Sequence, residues 1–377
     1  MSRISMADRP LPPLFEAYPR LAMTISWMSI GDWPTPVMHA KSFSADVGVP
    51  NFYVKREDLS HAICGGNKPR GLEFLLADAR AKDRASILTF SSVGSHHICR
   101  TAWHARRIGM DTTAVVVDQA MARYVRANLL FGLQAGARYV HANYFTIVPR
   151  SVHELLSHRN WRHGHPPYFI PPGGTSPRAC LGHVSAALEL KRQVDAGALP
   201  EPDCIYVPMG SMGTAAGLLL GVRLAGLKCR VVGVAVSYRW YCTPGRAARL
   251  ARATLALMRR HDPSVPPVRI SASDIDVVPT ALGEGYARFT ESSIEWAERM
   301  RKGEGLDMDG TYGAKTLDGA MQYISNRHLR GMTHLFWHTF HALSPPEPDE
   351  SLVSRIPARF RRYLHDAPQP LDARLIQ

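Results

Sequence analysis

A chain of 377 residues, 45% hydrophobic and 20% charged, has the length for two domains, or for one large α/β body with a smaller lobe. No apolar run approaches the roughly 20 residues that span a bilayer, and Met1 to Arg20 mixes proline, charge and aromatics unlike a signal peptide, so a cytoplasmic protein without a membrane partner is expected. The formal charge of +13 is carried by scattered arginines with helical-looking clusters at Arg100–Arg107, Arg246–Arg260 and Arg355–Arg362, and no nucleic-acid-binding signature accompanies them, so no nucleic acid partner is expected and the clusters read as a solvated basic face that helps attract anionic substrates.

The first thirty or so residues, with Pro10, Pro12, Pro13 and Pro19, read as an extended arm packed on the body. From Asn51 onward, short apolar runs alternate with longer amphipathic stretches. Strands are predicted at Phe52–Lys55, Ile87–Phe90, Thr113–Val117, Tyr168–Ile170, Cys204–Val207, Val231–Val236 and His334–Trp337. Helices are predicted at Gly71–Arg80, His97–Arg107, Ala122–Gln134, Ala179–Val194, Ala215–Leu224, Glu291–Arg301 and Ala314–Ile324. Strand then helix, repeated, predicts an α/β fold with a parallel sheet covered on both faces. The six cysteines are scattered with no CxxC pair, which argues against a disulfide framework and a structural metal. Cys64 alone stands near a residue of interest.

In parallel sheets, ligands sit beyond the carboxyl ends of strands, where loops lead into helices. Three loops carry suitable residues: Ser91–His97, Pro208–Thr214 and Thr339–Ala342. Before them comes Cys64-Gly65-Gly66-Asn67-Lys68. Two glycines allow a tight turn and close approach to a flat ligand, and a partly desolvated lysine can form a Schiff base and act as a general base. By itself, the same motif also fits a surface lysine that opens a helix. The run Gly210-Ser211-Met212-Gly213-Thr214 leads from strand into an Ala-rich helix, whose first amides can bind phosphate; it is neither a Walker loop nor a GxGxxG turn, and a plain capped turn stays open. Ser95-His96-His97 offers hydroxyl, imidazole and amide groups for a carboxylate, without a hydrolase triad or a G-x-S-x-G elbow.

Taken in order and spacing, these motifs resemble the D-cysteine desulfhydrase and 1-aminocyclopropane-1-carboxylate deaminase family, within the tryptophan-synthase-β-like (fold type II) enzymes dependent on pyridoxal 5'-phosphate. The markers run from Thr35-Pro36 through Tyr53-Val54-Lys55-Arg56-Glu57-Asp58-Leu59, Gly65 to Lys68, Leu72 to Asp78, Ile170-Pro171-Pro172-Gly173-Gly174, Gly210 to Thr214, and Glu304-Gly305 to Tyr312 with Lys315, ending near Thr339. The resemblance implies two open, twisted, mostly parallel sheets, each flanked by helices. It implies a large cofactor-binding domain (1–72 and 185–377) and a small domain (73–184) that closes over the substrate. Pyridoxal phosphate would be joined to Lys68, flanked by Asn67, with its phosphate on Gly210, Ser211, Met212, Gly213 and Thr214 and its ring nitrogen at Thr339. Ser95, His96, His97, Tyr286 and Tyr312 would face a small amino-acid substrate, with Lys68, Ser95, Tyr286 and Tyr312 catalytic. A homodimer and a lyase reaction, α-proton removal followed by loss of a β-substituent, complete what it implies.

Six positions depart from the family pattern. His96 replaces an Asn at the cofactor's phenolic oxygen, and its charge is expected to vary near neutral pH. Met212 replaces glycine, which lets the loop amides point inward only if that residue needs no positive φ. Gly313 replaces the glutamate that pairs with the ring nitrogen in the deaminases, so cyclopropane opening is disfavoured. Phe340-His341 replaces two glycines and is expected to narrow or reshape the pocket, and Ala287 replaces the glycine after Tyr286. These changes leave β- or γ-replacement, racemisation or cyclisation as an alternative, and a binding protein without catalysis as a third.

Overall fold

The computed structural model describes residues 11–343 and 350–375. Ten strands lie in two sheets: β1 (Val37–His39), β2 (Phe52–Arg56), β3 (Ser86–Ser92), β4 (Asp111–Val117), β5 (Arg138–His141), β6 (Tyr168–Ile170), β7 (Cys204–Met209), β8 (Arg230–Ala235), β9 (Ile275–Val278) and β10 (His334–His338). The six-stranded sheet has the order β1-β2-β10-β7-β8-β9, and the four-stranded sheet β5-β4-β3-β6. Among the described residues every pairing between these strands is parallel except β1 with β2.

The central strands are continuous apolar runs because helices cover both faces. All six residues of β7 are buried. Their alternation still sorts the two faces: Tyr206, Val232 and Phe336 join one core cluster, whereas Ile205, Val207, Val231, Leu335 and Trp337 join another. The second cluster packs beneath the helices Pro177–Asp195, Gly213–Leu224 and Pro244–His261.

All seven predicted strands and all seven predicted helices are present, β6 with the predicted ends and the others with one or both ends shifted. The three unpredicted strands, β1, β5 and β9, are sheet edges. Short edge strands carry polar residues such as His39, Arg138 and Asp276, which hide the apolar signal. The expected extended arm is corrected: Pro13–Ala17 and Pro19–Thr24 are short helices, each with proline in its first turn, where its missing N–H costs nothing. Pro10 lies outside the described residues.

A buried ion network anchors the start of the helix Lys68–Ala81. Arg70 Nη2 lies 2.7 Å from Glu57 and 3.0 Å from Glu189, and Lys55 Nζ lies 2.5 Å from Glu189. Thr35 Oγ1 donates to Glu57 at 2.8 Å. Burial alone would push Glu189 up, but Arg70 and Lys55 outweigh it and hold the carboxyl down at about 2. The markers Thr35, Lys55 and Glu57 are therefore the frame that fixes the chain two residues after Lys68. Among the described residues no helix is long and apolar enough to cross a membrane, and no cluster of His, Cys, Asp and Glu could hold a metal.

Candidate active site

The ends of β3, β7 and β10 open into a cavity of about 850 Å³. Its wall includes Asn67, Lys68, Ser95, His96, His97, Gly210 to Thr214, Tyr286, Tyr312 and Thr339. Every residue singled out for the site in the sequence thus borders one space, although they are spread across more than 270 positions from Asn67 to Thr339.

Lys68 begins its helix, and its Nζ donates to the carbonyl of Gly173 at 3.2 Å. Burial, helped by the Arg100 cation, lowers the amine to about 8. A lysine so tuned is a usable base and nucleophile near neutral pH. Gly66 lets this segment pass close to the end of β10: with φ of 93°, an added Cβ there would lie 2.7 Å from the carbonyl oxygen of Thr339. Asn67 Nδ2 donates to Thr214 Oγ1 at 2.8 Å, tying the lysine segment to the loop 147 residues downstream.

That loop caps the helix Gly213–Leu224 and lies against the turn 172–175, where Thr175 Oγ1 donates to Ser211 Oγ at 2.6 Å. Met212 takes φ of 70° and ψ of −1°. The condition set for it, an ordinary φ, is not met: Met keeps the left-handed turn in which glycine would be unstrained. Ala287, at φ of 60°, does the same beside Tyr286.

Ser95 caps the helix His96–Arg107 by accepting from the His97 amide. The His97 ring nitrogens meet Thr89 Oγ1 at 3.1 Å and Thr101 Oγ1 at 3.3 Å, and burial, then Lys68, lowers it to about 3. Its ring is therefore fixed by core threonines while its edge reaches the cavity. His96 stacks on Tyr124 and meets Phe340 edge-on at 5.4 Å. The expected variable charge on His96 is corrected: burial, followed by Arg100, Lys68 and His341, holds it well below the usual histidine range. It is a neutral imidazole.

Opposite, the hydroxyls of Tyr286 and Tyr312 lie 3.0 Å apart, and Ser92 Oγ lies 3.3 Å from Tyr286. Burial raises both tyrosines, Tyr312 well above 10, so they are proton donors rather than anions. Asp309, unrecognised in the sequence, accepts from the amides of Thr311, Tyr312 and Gly313 and so orients Tyr312. Phe340 is buried on the cavity wall, whereas His341 turns away and its Nδ1 meets the Asp58 carbonyl oxygen at 2.6 Å.

Two further sequence readings change. Arg100, assigned to a solvated basic cluster, is 1% exposed and donates to the carbonyls of Gly65 and His341. No carboxylate among the described residues forms a salt bridge with it. Cys64 is fully buried, and its thiol is pushed up, mostly by that burial, which makes it inert at neutral pH.

Residues 28–339 match the family described as pyridoxal-phosphate dependent enzyme. The chain belongs to that family. Among its relatives, the nocardicin C-9' epimerase of Nocardia uniformis is 33% identical over 76% of this chain and 85% of its own length. The D-cysteine desulfhydrase of Klebsiella pneumoniae is 26% identical over 81% of this chain and 91% of its own. A crystal structure titled as that of an ACC deaminase homologue superposes with a TM-score of 0.74 at 26% identity, covering 92% of this chain and all of the other. The two mostly parallel sheets of this pyridoxal-phosphate enzyme are those of the fold type II group. The donor set fits the cofactor on its own terms: an amine lowered to about 8 for the aldehyde, and hydroxyls and first-turn amides of the 210–214 turn for a phosphate.

Proposed function

We propose that this enzyme removes the α-proton of an amino acid and expels a β-substituent, releasing an aminoacrylate that water hydrolyses to a keto acid and ammonia. The observation that carries the reading is one amine lowered to about 8, Lys68, sharing a cavity with the neutral hydroxyl relay Ser92–Tyr286–Tyr312. When bound, pyridoxal phosphate supplies the electron sink for charge that develops at Cα. Lys68 Nζ takes the α-proton. The electron pair of the Cα–H bond forms the Cα–Cβ double bond while the β-substituent leaves with its own pair. Tyr312, held by Tyr286 and by Asp309 behind its backbone, gives that leaving group a proton. Ser95, at the N-terminus of its helix, would hold the substrate carboxylate with the helix amides; His96, neutral and stacked, would donate a hydrogen bond to the cofactor. Asn67 and Gly210 to Thr214 would hold the phosphate side of the cofactor. His97 braces this wall from behind.

The names of two relatives pull in different directions, one a desulfhydrase and one an epimerase. The epimerase relation favours a second reading, in which the tyrosine pair returns a proton to Cα and configuration is exchanged. Incubation of the holoenzyme with D- and L-amino acids in deuterium oxide separates the two. Keto acid and ammonia support elimination; deuterium at Cα of recovered amino acid without them supports epimerisation; neither outcome in any substrate overturns both. The division into 1–72 with 185–377 and 73–184, closure of the smaller part over the substrate, a homodimer and a cytoplasmic location are proposed with it, on the strength of the family resemblance.

A further inference from the structure

The cavity is larger than a cofactor and a small amino acid need. At about 850 Å³ it lies in the upper part of the roughly 300–1,000 Å³ range of pockets that enclose drug-sized ligands. Its inner part carries all of its ionisable histidines, lysine, arginine and aspartate: Lys68, His96, His97, Arg100, His183 and Asp309. The outer part is different in kind. Phe90 from β3, Tyr144 and Val148 around the start of the helix Ile147–Leu156, and Tyr238, Trp240 and Tyr241 from the loop after β8 line it, and none bears a charge.

These side chains are exposed where large apolar groups are normally covered. Trp240 is 71% exposed, Tyr144 60%, Val148 58% and Tyr238 44%. They are also ordered among themselves: Tyr238 and Trp240 stack with centroids 6.0 Å apart, and Tyr241 meets Trp240 edge-on at 5.8 Å. Tyr144 from the smaller sheet's loop and Tyr238 from the larger sheet's loop both line this part of the cavity. An exposed apolar surface continuous with an active cavity marks a place where ligand completes the packing, and aromatic rings prefer stacked or edge-on aromatic partners.

We propose that the outer chamber is a binding site for an uncharged aryl group on the substrate, so that the amino acid processed is one whose side chain reaches about one ring beyond Cβ. The proposal rests on the reading that Lys68 works on an amino acid, and it specifies what that amino acid carries. It accounts for the aromatic rim, which the chemistry at Lys68 does not need.

The test uses the holoenzyme, with D- and L-O-benzylserine as aryl probes, serine as the small probe, and lysine as a probe of similar reach with a charged end. Dissociation constants come from calorimetry and from the change in cofactor absorption. Full burial of a ring is worth about ten- to a hundredfold in affinity, so one O-benzylserine enantiomer should bind at least about tenfold more tightly than serine, and lysine should not. Trp240→Ala and Tyr238→Ala should each remove most of that gain and leave serine affinity unchanged. If serine perturbs the cofactor and O-benzylserine binds no better, or if both variants retain the full preference, the chamber assignment is overturned while the lysine chemistry stands. If no probe perturbs the cofactor, both fall together.

Discussion

Lys68 Nζ donates to the carbonyl oxygen of Gly173 at 3.2 Å, and the same glycine makes room for the loop 210–214. Gly173 has φ of 68°, and an added Cβ would lie 2.2 Å from Ser211 Oγ. One backbone position therefore couples the amine to the turn at the start of the helix Gly213–Leu224. Gly173→Ala should place a methyl against Ser211 and incur about 1–2 kcal/mol of left-handed strain. The expected outcome is cofactor affinity lowered by roughly tenfold or more, measured by fluorescence titration of the apoprotein with pyridoxal phosphate. Unchanged affinity would show that the two loops are not coupled.

The amine at about 8 fixes a pH dependence. Reaction of apoprotein with pyridoxal phosphate needs the free base, so its rate should rise through pH 8 and level off above it. Arg100 is the second cause of the depression after burial. Arg100→Met should therefore move the midpoint upward while the side chain's bulk is kept. For stability the sign is the same. Between pH 8 and the unfolded value of 10.5 the unfolded chain binds more protons, so apoprotein stability rises with pH across that window. Lys68→Ala should abolish both the kinetic midpoint and turnover; a retained midpoint would assign it to another group.

Tyr286 and Tyr312 share one hydrogen bond, so their deletions should not add. Tyr312→Phe should lower kcat by about 10²–10⁴ if it is the proton donor, and Tyr286→Phe by less, because it acts through Tyr312. The double variant should lie close to Tyr312→Phe. Because burial keeps both hydroxyls protonated below pH 10, no loss of activity from tyrosine ionisation is expected in the neutral range. A double variant showing the product of the two single effects would mean independent roles.

What the sequence made legible follows from where each signal comes from. The inner strands such as β7 read clearly because burial on both faces forces an unbroken apolar run, while β1, β5 and β9 at the edges carry polar residues and did not. The chemical loops read clearly because glycines and hydroxyls cluster there for backbone reasons. Arg100 did not: on one helix, it and Arg106 are indistinguishable as letters, yet one is buried beside Gly65 and the other is exposed. Tyr144 and Trp240 were equally silent, because nothing local says that loops about a hundred residues apart share one rim. The His96 reading failed for a related reason, since the charge state of an imidazole depends on the neighbours that enclose it.

Met212 tests which of two opposed effects wins. A residue at φ of 70° is strained by about 1–2 kcal/mol, which glycine would relieve. Its side chain, however, is 5% exposed within the core cluster, and removing a buried methionine costs about 2–5 kcal/mol. Met212→Gly should therefore destabilise by about 1–3 kcal/mol in spite of the better backbone. At Ala287, where only a methyl is lost, Ala287→Gly should fall within about 1 kcal/mol of the parent. Denaturant melts of the two variants decide it, and a Met212→Gly protein more stable than the parent would mean that strain dominates.

Glu189 is the shared acceptor of Lys55 and Arg70, and its loss should be the most damaging single change away from the cavity. Glu189→Gln keeps the shape but leaves two buried cations with only Glu57 between them, and breaking such a pair costs about 3–5 kcal/mol. The pH sign follows from the carboxyl being held at about 2 against an ordinary 4.5. Its contribution is complete above 4.5, fades as pH falls between these values, and is gone below 2. Parent and Glu189→Gln stabilities should therefore differ most at neutral pH and converge on acidification, as followed by urea melts between pH 7 and pH 3. Because Arg70 sits two residues after Lys68, the variant should also lose cofactor affinity without any change to a residue that lines the cavity. A stability gap that stays constant with pH would mean that Glu189 contributes through packing and not through its charge.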